Sequence, residues 1–284
     1  MMDFLITKMN FSILILTLNE QQNLSNCLNY LSSCNDIVIL DSHSTDKTVE
    51  IAEKAGARVF QRIFDNYASQ RNYGLNEIEY KYDWVLMVDA DEIAPAKLIS
   101  EINATIDSCD PETTLYRMRR KDYFLGKWIK RSSGYPTWFG RLMRIGHVSV
   151  ERKINEEYHT DGKIGELNGH LLHYPFNKGF HAWFEKHNRY SSMEAEFYIK
   201  KNEDNIKIIN ISSKDPIIRR KTIKHFVYKL PGRPLLIFFA LYIWRLGFLD
   251  GRAGFVFCIL RAFYEFMIDC KKEEVKLRRA NKPL

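Results

Sequence analysis

Short apolar runs closed by polar loops recur along the first hundred residues. Phe11–Leu16, Asp36–Asp41 and Trp84–Val88 are each nearly unbroken apolar stretches. Runs of that length predict strands buried on both faces, as in a parallel sheet. Arg58–Gln61 predicts a shorter strand. Between them, Asn23–Ser32, Lys47–Ala55 and Tyr67–Asn76 predict helices. Asp46 is placed to cap the second helix and Gly56 to end it. Strands alternating with helices of about ten residues imply βαβ units. The polar loops Thr17–Glu20 and Ser42–Asp46 then lie at carboxyl ends of strands, where such a sheet binds its ligand.

The strand at Trp84 runs into Asp89-Ala90-Asp91-Glu92. Side chains two apart on an extended chain point the same way, so Asp89 and Asp91 should leave the sheet together. Such oxygen ligands suit Mg²⁺ or Mn²⁺, ions that favour phosphates. Equally, the acids could be a polar turn capping a helix at Pro95–Ile106.

Further on, Tyr116–Arg120 and Arg141–Arg144 predict strands with long basic side chains. Tyr123–Trp138 between them is aromatic and basic. Gly169–Tyr174 carries His170 and His173 on a strand and turn. The helix expected at Trp183–Tyr198 sets Lys186 and Arg189 on one face, where they cover a diphosphate or are solvated. Lys214–Arg233 is rich in cations, Pro231-Gly232-Arg233-Pro234 breaks the chain, and Leu235–Trp244 and Ala253–Leu260 are apolar stretches ended by arginine. Neither reaches the roughly 20 residues needed to span a bilayer. Apolar helices with basic flanks predict an interfacial membrane anchor; a packed hairpin or a dimer interface are the alternatives. Lys271–Arg279 predicts a solvated helix.

Charge sharpens this division. The net charge of +7 is unevenly spread: residues 1–200 carry 24 basic against 27 acidic groups, residues 201–284 carry 18 against 8. A basic tail suggests anionic lipid or nucleic acid. Acidic strand ends, which would repel phosphates without a metal, argue against a nucleic-acid-binding module. A length of 284 residues allows one large domain or one and a half. We expect a catalytic part over residues 1–200, split near residue 110, and a helical region over 201–284. The five cysteines show no metal spacing and suggest free thiols in a reducing compartment. No convincing signal peptide is present, and Met9 is an alternative start.

Taken together, Leu16-Thr17-Leu18-Asn19-Glu20, Ile39-Leu40-Asp41-Ser42 with Ser44-Thr45-Asp46, and Asp89-Ala90-Asp91 resemble family 2 glycosyltransferases of the GT-A fold. The likeness is closer to the lipopolysaccharide-core β-1,4-glucosyltransferase group. It extends to Phe64–Asn72 and to Leu246-Gly247-Phe248-Leu249-Asp250-Gly251-Arg252-Ala253-Gly254. The resemblance implies an α/β, Rossmann-like, mainly parallel sheet with a membrane-associating helical extension. It implies an inverting transfer of a hexose, glucose from UDP-glucose first, to a hydroxyl of a lipopolysaccharide-core or other lipid-linked glycan. Transfer to polyprenyl phosphate is the nearest rival, and nucleotidyl transfer a further one. Thr17, Asn19, Glu20, Asp41, Ser42, Gln70, Arg71, Asp89 and Ala90 would line the nucleotide site. Asp41 would accept from the uracil N3–H or form the turn with Ser42, and Arg71 would hold the diphosphate or be solvated. Asp91, with Asp89 and His173, would hold Mn²⁺ or Mg²⁺. Aromatic faces suit sugar rings, which makes Tyr135 and Trp138 acceptor candidates beside Lys186 and Arg189; a second apolar layer with solvated arginines is the alternative. Glu156 would be the general base, with Glu157 and Glu151 as alternates. Asn155 stands where the family usually has histidine. The resemblance also places the protein in the cytoplasm, on the inner face of the cytoplasmic membrane.

Overall fold

A computed structural model describes residues 9–151, 157–201 and 232–284. They form two compact units, one of residues up to 128 with 135–179, the other of 129–134 with residues from 180 onward.

The first unit is built on a nine-stranded sheet. In chain order its elements are β1 (Ser12–Thr17), α1 (Leu24–Tyr30), β2 (Ile37–Asp41), α2 (Thr48–Lys54), β3 (Arg58–Gln61), α3 (Tyr67–Asn76), β4 (Trp84–Asp89), β5 (Glu92–Ile93), α4 (Ala96–Ser108), β6 (Thr113–Phe124), β7 (Lys127–Trp128), β8 (Trp138–Arg144), β9 (Val148–Glu151), β10 (Glu157–Thr160) and β11 (Lys163–His173). The strand order is β3-β2-β1-β4-β8-β6-β11-β5, with β7 paired to β6 and β9–β10 a separate ribbon. The first four strands are parallel. β8 then runs antiparallel to both β4 and β6, β11 parallel to β6, and β5 antiparallel to β11.

Alternation along each strand explains the three layers. Ile13, Ile15, Ile37, Ile39, Leu86 and Val88 share one face with Leu24 and Leu28 of α1 and Leu98 and Ile102 of α4. Leu14, Val38, Leu40, Val85 and Met87 share the other with Ala68 and Leu75 of α3. The parallel strands expected from the apolar runs are therefore present. β5 is too short to show a period and begins within the stretch that reads equally as a polar turn. Nor does the sequence separate β6 from β7, whose tight hairpin turns on Leu125 and Gly126 at φ 48° and 72°.

The second unit is helical: α5 (Gly179–Lys201, whose first residue belongs to the sheet unit), α6 (Arg233–Phe239), a π-helical turn (Ala240–Trp244), a 3₁₀ turn (Gly247–Asp250) and α7 (Gly251–Arg279). The basic stretch from Lys214 lies largely outside the described residues. No single helix among the described residues is long and apolar enough to cross a membrane. Arg233–Trp244 and Gly247–Arg279 together pass that test but are bent by 72°. The bend is built from close backbone contact. A Cβ on Gly247 would lie 2.6 Å from the Leu241 carbonyl oxygen, and one on Gly254 would strike the Gly247 carbonyl oxygen and lie 2.7 Å from Asp250 Cβ. The Asp250 carboxylate accepts from the amides of Arg131 (2.9 Å) and Ser132 (2.8 Å) and from the Ser132 hydroxyl (2.7 Å).

This packing predicts that Gly254→Ala lowers stability by about 2 kcal/mol, within the range for overpacked sites. Urea unfolding is the measurement, with a Gly126→Ala control that separates close packing from φ strain, because a Cβ there meets nothing within 4 Å.

Candidate functional site

Two loops at the carboxyl ends of β1 and β2 lock together. Ser42 N–H donates to the Thr17 carbonyl (2.9 Å). Asn19 N–H donates to Ser44 Oγ (2.8 Å), and Thr45 N–H returns a bond to Asn19 Oδ1 (2.8 Å). Asn19 and His43 take left-handed conformations, φ 54° and 60°, which asparagine and histidine adopt more readily than most residues. Asp41 is completely buried. Its carboxylate accepts from Thr17 Oγ1 (2.8 Å) and from Ser44 N–H (2.7 Å) and Oγ (2.5 Å). Expected as an open acceptor for a base, Asp41 stands here as the support under both loops. Gln70 is equally buried and donates to Ser42 Oγ (3.2 Å) while accepting from Arg62 (2.6 Å).

Glu20 closes this end. It accepts from Lys178 Nζ (2.8 Å) and Asn23 Nδ2 (2.8 Å). Burial raises its pKa, partly offset by Lys178 and Asn23 and reinforced by the charge of Asp91.

The end of β4 differs from expectation at Asp89. Its two oxygens bind Arg71 Nη2 (3.1 Å) and Arg141 Nη2 (2.7 Å). Burial opposes ionisation, but Arg141 and Arg71 outweigh it and hold the carboxyl well below its ordinary range. With a guanidinium on each oxygen, Asp89 is no metal ligand in this arrangement. Arg71, expected on a diphosphate or in solvent, is buried against Asp89 and Met87. Glu92, fully buried on β5, accepts from Arg141 (2.7 Å), Arg120 (3.4 Å) and the Asp89 amide (3.1 Å). Two salt-bridged acids thus share one buried arginine.

Asp91 diverges from Asp89, because the strand ends at Asp89 and a turn over buried Ala90 follows. The pairing of β5 with β11 sets His173 opposite Glu92, and Tyr174 N–H binds the Asp91 carbonyl (2.9 Å). His173 Nε2 therefore lies 3.4 Å from Asp91 Oδ2, while its Nδ1 meets Asp122 Oδ1 at 2.7 Å. Burial and Arg120 push the His173 pKa down, yet Asp91 and Asp122 prevail and leave it raised. The gap between His173 and Asp91 thus favours positive charge.

Among the described residues, no group of three His, Cys, Asp or Glu side chains is spaced to hold a metal. A two-residue set does fit. Mg²⁺ and Mn²⁺ sites commonly use one or two protein ligands and complete their shell with phosphate oxygens and water. The carboxylate on the second histidine nitrogen is the usual support for a metal-binding imidazole.

The remaining expected residues are spread out. Trp128 and Tyr135 meet edge to face at 5.1 Å, and Trp138, about one-third exposed, carries Arg119 at 5.2 Å. Glu151 and Glu157 sit opposite each other on β9 and β10. Glu156 and Asn155 lie outside the described residues. Lys186 and Arg189 are exposed on α5, in the helical unit. Glu92 as an anchor, Arg120, Asp122, Arg141 and Lys178 were not anticipated. The available hint was the repeated arginine in strands otherwise apolar enough to be buried.

Residues 12–161 match the family described as Glycosyl transferase family 2. The lipopolysaccharide core biosynthesis glycosyltransferase LpsC of Rhizobium meliloti is 27% identical over 280 residues, 94% of this chain and 93% of that protein. An uncharacterized glycosyltransferase of Rickettsia typhi is 27% identical over 282 residues, 95% of this chain and 89% of its own length. Among solved structures, glucosyl-3-phosphoglycerate synthase of Mycobacterium tuberculosis, crystallised with Mn²⁺, UDP and glucosyl-3-phosphoglycerate, superposes with a TM-score of 0.35 at 19% identity, covering 40% of this chain and 44% of that one.

Removing one partner from a buried ion pair leaves an uncompensated charge and costs about 3–5 kcal/mol. Glu92→Gln should approach the lower end of that range, because the amide still accepts from Arg141. Chemical denaturation measures the loss, and a loss below about 1 kcal/mol would show that Arg141 does not depend on Glu92.

Proposed function

The chain belongs to glycosyl transferase family 2, and with it to enzymes of the GT-A-like fold; on that premise we propose that it moves a hexose from a nucleotide-sugar, UDP-glucose first, to a hydroxyl of a lipopolysaccharide-core or other lipid-linked glycan. The observation that carries the reading is the meeting of Asp91 and His173 beside the interlocked β1 and β2 loops. The near full-length similarity to a lipopolysaccharide-core glycosyltransferase supports the acceptor class.

In this reading the nucleoside rests against Thr17, Asn19, Glu20 and Ser42, on the floor that Asp41 and Gln70 hold in place. Lys178, already on Glu20, supplies a cation to the same end. Asp91 and His173 would hold Mn²⁺ or Mg²⁺, which would supply Lewis-acid neutralisation of the charge on a nucleoside diphosphate leaving group. Asp122 fixes the His173 ring through Nδ1, so that Nε2 faces Asp91. Asp89 and Glu92 position the turn through Arg71, Arg120 and Arg141 and touch no substrate. Glu156 takes the proton of the attacking hydroxyl as general base. One in-line attack then inverts the anomeric centre. Tyr135 and Trp138 offer aromatic faces to the acceptor. A lipid-linked acceptor puts the protein on the inner face of the cytoplasmic membrane as a peripheral enzyme.

The test is release of UDP, GDP or dTDP from their sugars with Mn²⁺ or Mg²⁺ present. Asp91→Ala should lower turnover about 100-fold, and Asp122→Asn about tenfold, as expected for a ligand and its hydrogen-bonded support. Unchanged turnover in Asp91→Ala would refute its role, and pyrophosphate in place of free nucleoside diphosphate would refute glycosyl transfer.

A further inference from the structure

We propose that the face of β6 turned away from the Asp91–His173 gap binds an anionic sugar unit of the acceptor, its phosphate or carboxylate held by Arg119 and Lys121 and its ring laid on Trp138. The inference rests on the glycosyl-transfer reading for the ligand's place in the reaction and goes beyond it in the site. Side chains along a strand alternate between the two faces of its sheet. Arg120 and Asp122 reach Glu92 and His173. Arg119 and Lys121 therefore point the other way, to the face that Leu115 of the same strand shares with α3. Register builds that face further. Trp138 of β8 and His170 of β11 lie opposite Arg119, and Trp128 of β7 lies opposite Tyr123. The Arg119 guanidinium sits over the Trp138 ring at 5.2 Å, and the Lys121 ammonium over Trp128 at 4.5 Å.

Arg119 is short of an acceptor. Its Nη2 donates to the Asn168 carbonyl, but its Nε is buried without a hydrogen-bond partner among the described residues. Leaving a donor of a charged group unmade is costly, and an oxyanion on the guanidinium supplies what is missing. Glu166, the acid in register on β11, lies opposite Arg117 and not opposite Arg119. His170 reports the sign of the field here: burial lowers its pKa first, then the charges of Lys121, Arg119 and Lys97, against Glu101. Residues two apart on a strand stand about 6.6 Å apart, so side chains of this length converge on one phosphate. The arginine fork takes two oxygens and the lysine adds a point charge. Trp138, 36% exposed, adds an apolar ring face. Alternation sets this face behind the Asp91–His173 gap, so the unit held here is not the one that receives the hexose. The acceptor then has more than one sugar, and anchoring the remote one positions the reacting hydroxyl. A nucleic acid fits less well. The cations stand at two neighbouring positions of one strand, where a tracked backbone needs a longer groove.

The experiment is saturation-transfer NMR on the full chain, with glucose 6-phosphate and glucuronate as probes and glucose as the neutral reference. At least one anionic probe should bind about tenfold or more tighter than glucose, and which one does so separates phosphate from carboxylate. Arg119→Gln and Lys121→Gln should each weaken that binding about tenfold. Arg119→Lys should recover part of it, because the charge returns without the fork. Trp138→Ala should weaken the sugar probe about fivefold and leave competition by inorganic phosphate unchanged. Thermal unfolding shows whether each variant is folded. Asp91→Ala should leave probe binding as it is, while its effect on UDP release tests the transfer reading, so the two readings fail separately. Binding that persists when Arg119 and Lys121 are both replaced by glutamine would overturn the proposal. So would equal affinity for glucose and both anionic probes, or displacement of the probe by a single-stranded oligonucleotide at about hundredfold lower concentration.

Discussion

A buried guanidinium sets the geometry of the candidate site. Arg141 comes from β8, has a side chain 3% exposed, and places one nitrogen 2.7 Å from both Asp89 and Glu92. A charge so deep is tolerated only when paired and hydrogen-bonded. The two acids that pair it are three residues apart, so satisfying Arg141 folds the chain between them into a tight turn. Asp91 stands on that turn. The direction of Asp91 is thus tied to how an arginine on a neighbouring strand is neutralised. Arg71 on α3 and Arg120 on β6 bind the same two acids, which ties a helix and a further strand to the turn.

That dependence also explains what could be read without coordinates. Parallel strands covered on both faces must be apolar throughout, so β1, β2 and β4 announce themselves, and topology then puts their loops at the ligand end. Two-residue β5 has no period to detect, and its partner β11 lies some eighty residues on. The meeting of His173 with Asp91 was therefore out of reach of pattern, although resemblance had proposed both as ligands. Alternation predicted that Asp89 and Asp91 point together. The rule holds along a strand and lapses where the strand stops, which happens between them. Arg71 and Arg141 look like any arginine in a sequence; what buries them is the acid on another strand or turn.

The helical unit shows the same limit from the other side. Hydropathy marks Leu235–Trp244 and Ala253–Leu260 as apolar but cannot say whether they face inward. The Gly-rich stretch 246–254 looked like a family signature without a purpose. Its glycines let the 3₁₀ turn press onto α7, and its aspartate spends its charge on two backbone amides and a hydroxyl. Burial of Asp250 and Glu265 leaves the outside of the α6–α7 hairpin with arginine alone between residues 234 and 266. Tertiary packing, more than composition, gives that face its sign.

Electrostatic balance links the turn to its chemistry. Asp89, Asp91, Glu92 and Asp122 face Arg71, Arg120, Arg141 and His173, whose pKa burial and Arg120 lower but Asp91 and Asp122 leave raised. On the proposed reading, a cation that accompanies the ligand would enter at the gap between His173 and Asp91. A single four-residue turn thus carries Asp89, held by two arginines, and Asp91, turned toward His173; the proposed reading gives the first to structure and the second to the ligand.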